Sequence, residues 1–216
     1  MVQVVMDVPK TIKSDEGWTV EGAGPDLLTT LLGEYSKALS DLGFPLDVLI
    51  DGVGSNQVRD ATRSVGLGAP EELVIWFGWQ NGLLRDSDDH LINALPLNFV
   101  PASLGSAIES YEGQVRDWIP AGLWERGWLT LESAQGLSVY CDGEPQSPCL
   151  VRKRFIDEYD FLTEYESYQT VSLCTVVSWW LEALTTRSIW RDGTLSGWDF
   201  DPKRCAQIDH GTLLLS

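Results

Sequence analysis

Histidine, cysteine and carboxylate side chains are the groups here that could do covalent, acid/base or metal chemistry. Only two histidines are present, His90 among acidic residues and His210 near the end of the chain. A Ser-His or Cys-His pair could be built from distant positions, but the chain has no Gly-x-Ser-x-Gly elbow and no His-Glu-x-x-His helix. Both histidines therefore read as surface residues. The carboxylate pairs Asp88 with Asp89 and Asp199 with Asp201 have a spacing that could serve acid/base or metal chemistry, yet adjacent acids are common in so acidic a chain. Cys141, Cys149, Cys174 and Cys205 include no Cys-x-x-Cys pair, which argues against a zinc ribbon or a disulfide scaffold and for free, largely buried thiols. The expectation is a protein with no catalytic residues, no metal and no cofactor. A hydrolase with an unrecognised site is the weakest of the readings.

Charge is more informative. Acidic side chains number 32 against 15 basic ones, a net charge of −17, so nucleic acid and anionic membranes are expected to repel the chain. The one basic cluster, Arg152-Lys153-Arg154, lies in a strand-like run, where alternation sends Arg152 and Arg154 to one face and Val151, Lys153 and Phe155 to the other. The acids fall into two groups. One is Asp86, Asp88 and Asp89; the other is Asp157, Glu158, Asp160, Glu164 and Glu166, interleaved with Tyr159, Tyr165 and Tyr168. Such groups either keep a surface solvated or steer a basic protein partner. Asp157, Glu158, Asp160, Glu164, Tyr165, Asp86, Asp88 and Asp89 are the candidate partner-binding residues, with Trp79 as an aromatic anchor. Ten tryptophans supply further candidates: Trp76, Trp128 and Trp180 fall on predicted core faces, whereas Trp79, Trp179, Trp190 and Trp198 fall off them or in the tail.

The elements that must position these residues change period along the chain. Leu28, Leu31, Leu32, Tyr35, Leu39 and Leu42 form a helical stripe after Pro25-Asp26, stopped by Gly43 and Pro45. Another helix follows Pro70, with Glu71 and Glu72 at its positive end, Leu73, Trp76, Phe77 and Gln80 on one face, and Gly82 to end it. Leu104, Ile108, Tyr111, Val115 and Trp118 make a further stripe. Period two then takes over at Trp128 to Glu132, Leu137 to Cys141 and Leu150 to Phe155, whose short connections predict an antiparallel meander. A last stripe, Leu173, Val176, Val177, Trp180, Leu181 and Leu184, stands behind an N-cap at Ser172. Helices, then strands, then a covering helix predict an α+β single domain: a central antiparallel sheet packed with N-terminal helices and a long closing helix. The Leu46 to Gly54 run imitates a dinucleotide-binding turn, but Gln57 stands where the third glycine belongs and no second βαβ unit follows.

Leu67-Gly68-Ala69-Pro70-Glu71-Glu72-Leu73, followed by an apolar helix and Asn81-Gly82, resembles the SUKH superfamily, whose founding member is a yeast cell-wall synthesis regulator. Asp51-Gly-Val-Gly-Ser55 before Asn56 to Val65 is similar to the family's preceding capped helix. Trp124 to Phe155 is similar to its central strands, and Ser172-Leu173 to the start of its closing helix. Ala69 departs from the Leu that the family often carries before the proline. The resemblance divides the chain into an N-terminal extension over 1–24, a SUKH-like domain over 25–190 and a C-terminal tail over 191–216. It implies a non-enzymatic immunity protein that binds and neutralises a cognate bacterial polymorphic toxin, often a nuclease or other nucleic-acid-modifying enzyme. The alternative it implies is a regulatory scaffold like the yeast regulator. No apolar run approaches the ~20 residues needed to span a bilayer, and Met1 to Lys10 lacks a basic region and cleavage signal, so the expected location is the cytoplasm.

Overall fold

The computed structural model describes residues 7–14, 17–84, 95–96, 99–132, 137–142, 148–153, 171–191 and 198–204. Pro25 opens helix α1 (Pro25–Asp41), and its predicted stripe Leu28, Leu31, Leu32, Tyr35 and Leu39 is buried. Helix α2 (Ser55–Ser64) is capped by Gln57, whose Oε1 accepts the Gly54 N–H at 3.0 Å. The residue that breaks the dinucleotide pattern is thus a helix cap.

Helix α3 (Glu71–Trp79) begins one residue after Pro70 and buries Leu73, Trp76 and Phe77, with Gln80 buried just beyond its end. Gly82 takes the left-handed conformation, at φ 99°. Beside it, the Asn81 side chain accepts the Leu104 N–H at 2.7 Å, one of the orphan amides at the start of helix α4 (Leu104–Gly113). The Asn-Gly pair therefore joins two helices. The Gly52 backbone passes so close to α3 that a Cβ there would lie 1.9 Å from the Gly78 carbonyl oxygen. Glycine is required at that crossing.

Strands β1 (Thr11–Ser14), β2 (Gly17–Val20), β3 (Trp128–Thr130), β4 (Leu137–Tyr140), β5 (Leu150–Lys153) and β6 (Val171–Ser172) form one sheet in the order β1-β2-β6-β5-β4-β3. The predicted meander is present as antiparallel β3, β4 and β5, with Trp128 opposite Tyr140 and Val139 opposite Val151. The sheet as a whole is mixed. A β1-β2 hairpin joins it through parallel pairing of β2 with β6, Trp18 opposite Val171. That hairpin comes from the segment set apart in the sequence as an N-terminal extension, and its neighbour follows far later in the chain.

Helix α5 (Leu173–Thr185) is capped as expected, Ser172 Oγ accepting the Thr175 N–H at 3.1 Å. It differs from a covering helix in being buried nearly all round: Cys174, Thr175, Ser178, Trp179 and Ala183 are buried along with the predicted stripe. It packs on β2 and β6 and is itself packed by α1. Trp179, read from sequence as off the core face, is fully buried, and its indole N–H donates to Thr11 Oγ1 at 2.7 Å. The hairpin supplies the surface that its stripe could not foretell.

A two-stranded sheet, β7 (Ile189–Arg191) with β8 (Trp198–Phe200), follows α5, and Trp198 stacks on Phe44 at 6.1 Å. No helix among the described residues is long and apolar enough to cross a membrane.

Candidate partner-binding surface

Asp157, Glu158, Asp160, Glu164, Tyr165, Asp86, Asp88 and Asp89 lie outside the described residues, as do His90, His210, Cys205 and Arg154. Trp79 is half-buried. Its indole N–H donates to Ser36 Oγ at 2.9 Å, and its ring sits edge-on to Trp76 and Tyr35, so it packs α3 against α1. Asp199 is exposed, while Asp201 pairs with Arg204 at 3.2 Å and accepts the Lys203 N–H. Among the described residues, no three His, Cys, Asp or Glu side chains gather as metal ligands would.

Arg152 is the member of the basic cluster whose side chain is described. Ser138 and Thr130 are neighbours of Arg152 across the ladder, on the face of β3, β4 and β5 that also carries Trp128 and Tyr140. Leu129, Val139 and Val151 point the other way, into the core. Trp128, expected on the core face, is thus on the opposite face and only half-buried. Its own strand explains the difference: period two separates Trp128 from Leu129 but does not say which one faces inward.

Arg152 is 5% exposed. Its guanidinium carbon lies 4.0 Å from the Trp128 ring centroid and 5.2 Å from that of Trp124, and Nη1 donates to Glu125 Oε2. Burying a charged group is costly unless it is paired and hydrogen-bonded, and the two indole faces and the carboxylate offset part of that cost. Nearby, Gln114 Nε2 donates to Thr130 Oγ1 at 3.1 Å, joining a buried polar row with Ser138.

The aromatic row continues outward. Trp128 packs on Tyr140 at 5.1 Å, and Trp124 meets Trp118 edge to face at 6.3 Å. Trp118 is 40% exposed, although its spacing places it on the inward stripe of α4. Residues Gln114–Trp118 form a π-helical turn, with Ile119 N–H donating to the Gln114 carbonyl at 2.8 Å. Each π residue advances less around the axis than an α residue, so the regular count that aligned Trp118 with Tyr111 no longer holds beyond Gln114. No propensity in the sequence announces that turn.

Exposed charges surround the row. Glu112, Asp117, Glu125 and Asp142 are acidic, Arg116 and Arg126 basic, and Arg116 is bound to Asp117 at 3.0 Å. Asp142 lies so close to the Gly127 turn that a Cβ on Gly127 would sit 2.5 Å from its Cβ.

Sequence reasoning also missed Glu72. Glu71 behaves as expected, exposed at the start of α3 and paired with Arg59 of α2, but Glu72 is 1% exposed and accepts the Cys149 N–H at 3.3 Å. Around it, burial pushes the Cys141 thiol up to about 12 and Cys174 up to about 11, and Cys149 is raised well above its usual range by burial and by the Glu72 carboxylate. All three are free and buried, as the cysteine spacing suggests. Inert thiols of this kind serve packing, not nucleophilic attack.

The chain matches no protein-family model and no curated protein.

Proposed function

We propose that this chain is a non-enzymatic binding protein that neutralises a basic protein partner, acting as a SUKH-like immunity protein against a toxin that works on nucleic acid. The observation that carries the reading is the net charge of −17. An enzyme that binds nucleic acid presents a positive cleft, and an acidic inhibitor can occupy that cleft by complementary charge and exclude the substrate. Support comes also from the order of elements: a capped α2, the Pro70-led α3 ending in Asn81-Gly82, the three-stranded meander and the Ser172-capped α5 follow the order the resemblance implies. The acidic runs from Asp157 to Glu164 and from Asp86 to Asp89 supply steering charge, with Tyr165 as contact area, while Trp79 is taken up in packing α3 against α1. The expected setting is the cytoplasm of the producing cell.

The test is purification of the tagged protein from its native cells, followed by co-expression with whatever binds it in stoichiometric amount. A basic polypeptide that is toxic alone and harmless when co-expressed supports neutralisation. A partner without toxicity, or one that is acidic, contradicts it and favours a regulatory scaffold.

A further inference from the structure

Among the described residues, Trp118 is one of three large hydrophobic side chains with substantial exposure, the others being Ile12 and Leu84. It alone of the three is continuous with an aromatic row that already holds a cation. From Trp118 the row runs through Trp124, the Arg152 guanidinium and Trp128 to Tyr140. The protein has thus solved, with its own Arg152, the problem of seating a guanidinium between indoles and a carboxylate.

We propose that the outer end of this row, Trp118 with Glu125, is a docking site for an arginine side chain of a basic protein partner. The occupant's charge rests on the basic-partner reading above; the location and the preference for arginine rest on the geometry. Glu125 spends one oxygen on Arg152 while its side chain remains 67% exposed, so a second donor can reach the carboxylate. Asp117, one residue before the indole, has both oxygens bound by Arg116, which leaves Glu125 as the acceptor. An incoming guanidinium stacks on the Trp118 ring and donates to a carboxylate beside it, the arrangement Arg152 shows one ring further in. The compact, strongly hydrated ammonium of lysine gains less from a flat indole face. Trp118 belongs to the residue types that dominate binding energy, and the π-helical turn that it closes is a feature frequent at functional sites.

Binding of an oligoarginine peptide and an oligolysine peptide of equal length, followed by tryptophan fluorescence at low salt, tests the assignment. Wild type is expected to bind oligoarginine more tightly than oligolysine. Trp118→Ala should weaken oligoarginine at least about fivefold and remove the preference, as the loss of a cation–π contact predicts. Trp118→Phe, which keeps a ring against Trp124, should fall between. Leu84→Ala, which trims an exposed apolar side chain elsewhere, should change nothing. Unchanged oligoarginine affinity in Trp118→Ala overturns this site while leaving the basic-partner reading in place. Failure of both peptides to bind wild type overturns that reading and this site with it.

Discussion

On one face of the β3-β4-β5 meander, Cys141 and Cys149 are sealed among Val139, Val151 and the helices; on the other, Arg152 is almost as hidden yet carries a charge. The two faces treat ionisable groups in opposite ways because their surroundings differ. The core offers each thiol a backbone hydrogen bond but no countercharge, and burial outweighs that bond and holds them protonated. The outer face offers the guanidinium two indole faces and the Glu125 carboxylate, so the ion survives burial. One sheet can thus combine an inert side and a side that holds a buried charge, since period two separates them residue by residue.

The largest effect is expected on the inert side. Trp180→Ala removes a fully buried ring that touches Tyr35, Trp76 and Phe99, and should cost about 3–5 kcal/mol in urea denaturation. Near-native stability would mean that α5 is not the centre of the core.

The buried thiols predict a pH dependence. Their folded pKa values are raised, so their contribution is fully present below the unfolded value of about 8.5 and is lost as pH rises toward the folded values. Between pH 7.5 and 9 the unfolding free energy should fall by about 2 kcal/mol. A Cys141→Ala, Cys149→Ala, Cys174→Ala triple variant, with its own lower baseline, should show a flatter slope over that range, and an unchanged slope would assign the effect to other groups.

On the outer face, Arg152→Ala should cost about 2 kcal/mol, from lost packing between Trp124 and Trp128 and a lost charge-assisted bond. Arg152→Met, which keeps most of the volume without the charge, should stay within about 1 kcal/mol of wild type. Equal losses in the two variants would make the charge, and not the stacking, the dominant contribution. The smallest effect belongs to the hairpin: Trp179→Phe deletes the bond to Thr11 Oγ1 and should cost about 1 kcal/mol. Exchange of the β1 and β2 amides should speed up more than that of the meander.

Helices α1, α3 and α5 were legible because each carries a stripe at helical spacing together with a local stop or cap, such as Pro25, Gly82 and Ser172, whereas α2 was expected from the family resemblance and its Gln57 cap was not foreseen. The meander was legible by alternation and short connections. What was not legible depends on partners remote in sequence. Strands β1 and β2 are too short to alternate convincingly, and β2 finds its neighbour only when Val171 arrives beside Trp18. Glu72 looked like a helix-end acid because the Cys149 amide that it accepts lies far along the chain. Trp118 followed a regular helical count that the π turn interrupts. For the candidate site, the acidic runs and Trp79 could be named from charge and residue type, whereas the Arg152 cage required knowing which face of β5 turns outward.

The association rate constant of the co-purifying partner, measured against ionic strength, tests the claim that an acidic surface captures a basic protein. The rate is predicted to fall by about an order of magnitude or more from low to physiological salt, and reversal of Asp157, Glu158 and Asp160 to Lys should slow it and flatten that dependence. A rate constant indifferent to salt, and unchanged by that reversal and by the same reversal at Asp86, Asp88 and Asp89, would contradict the account.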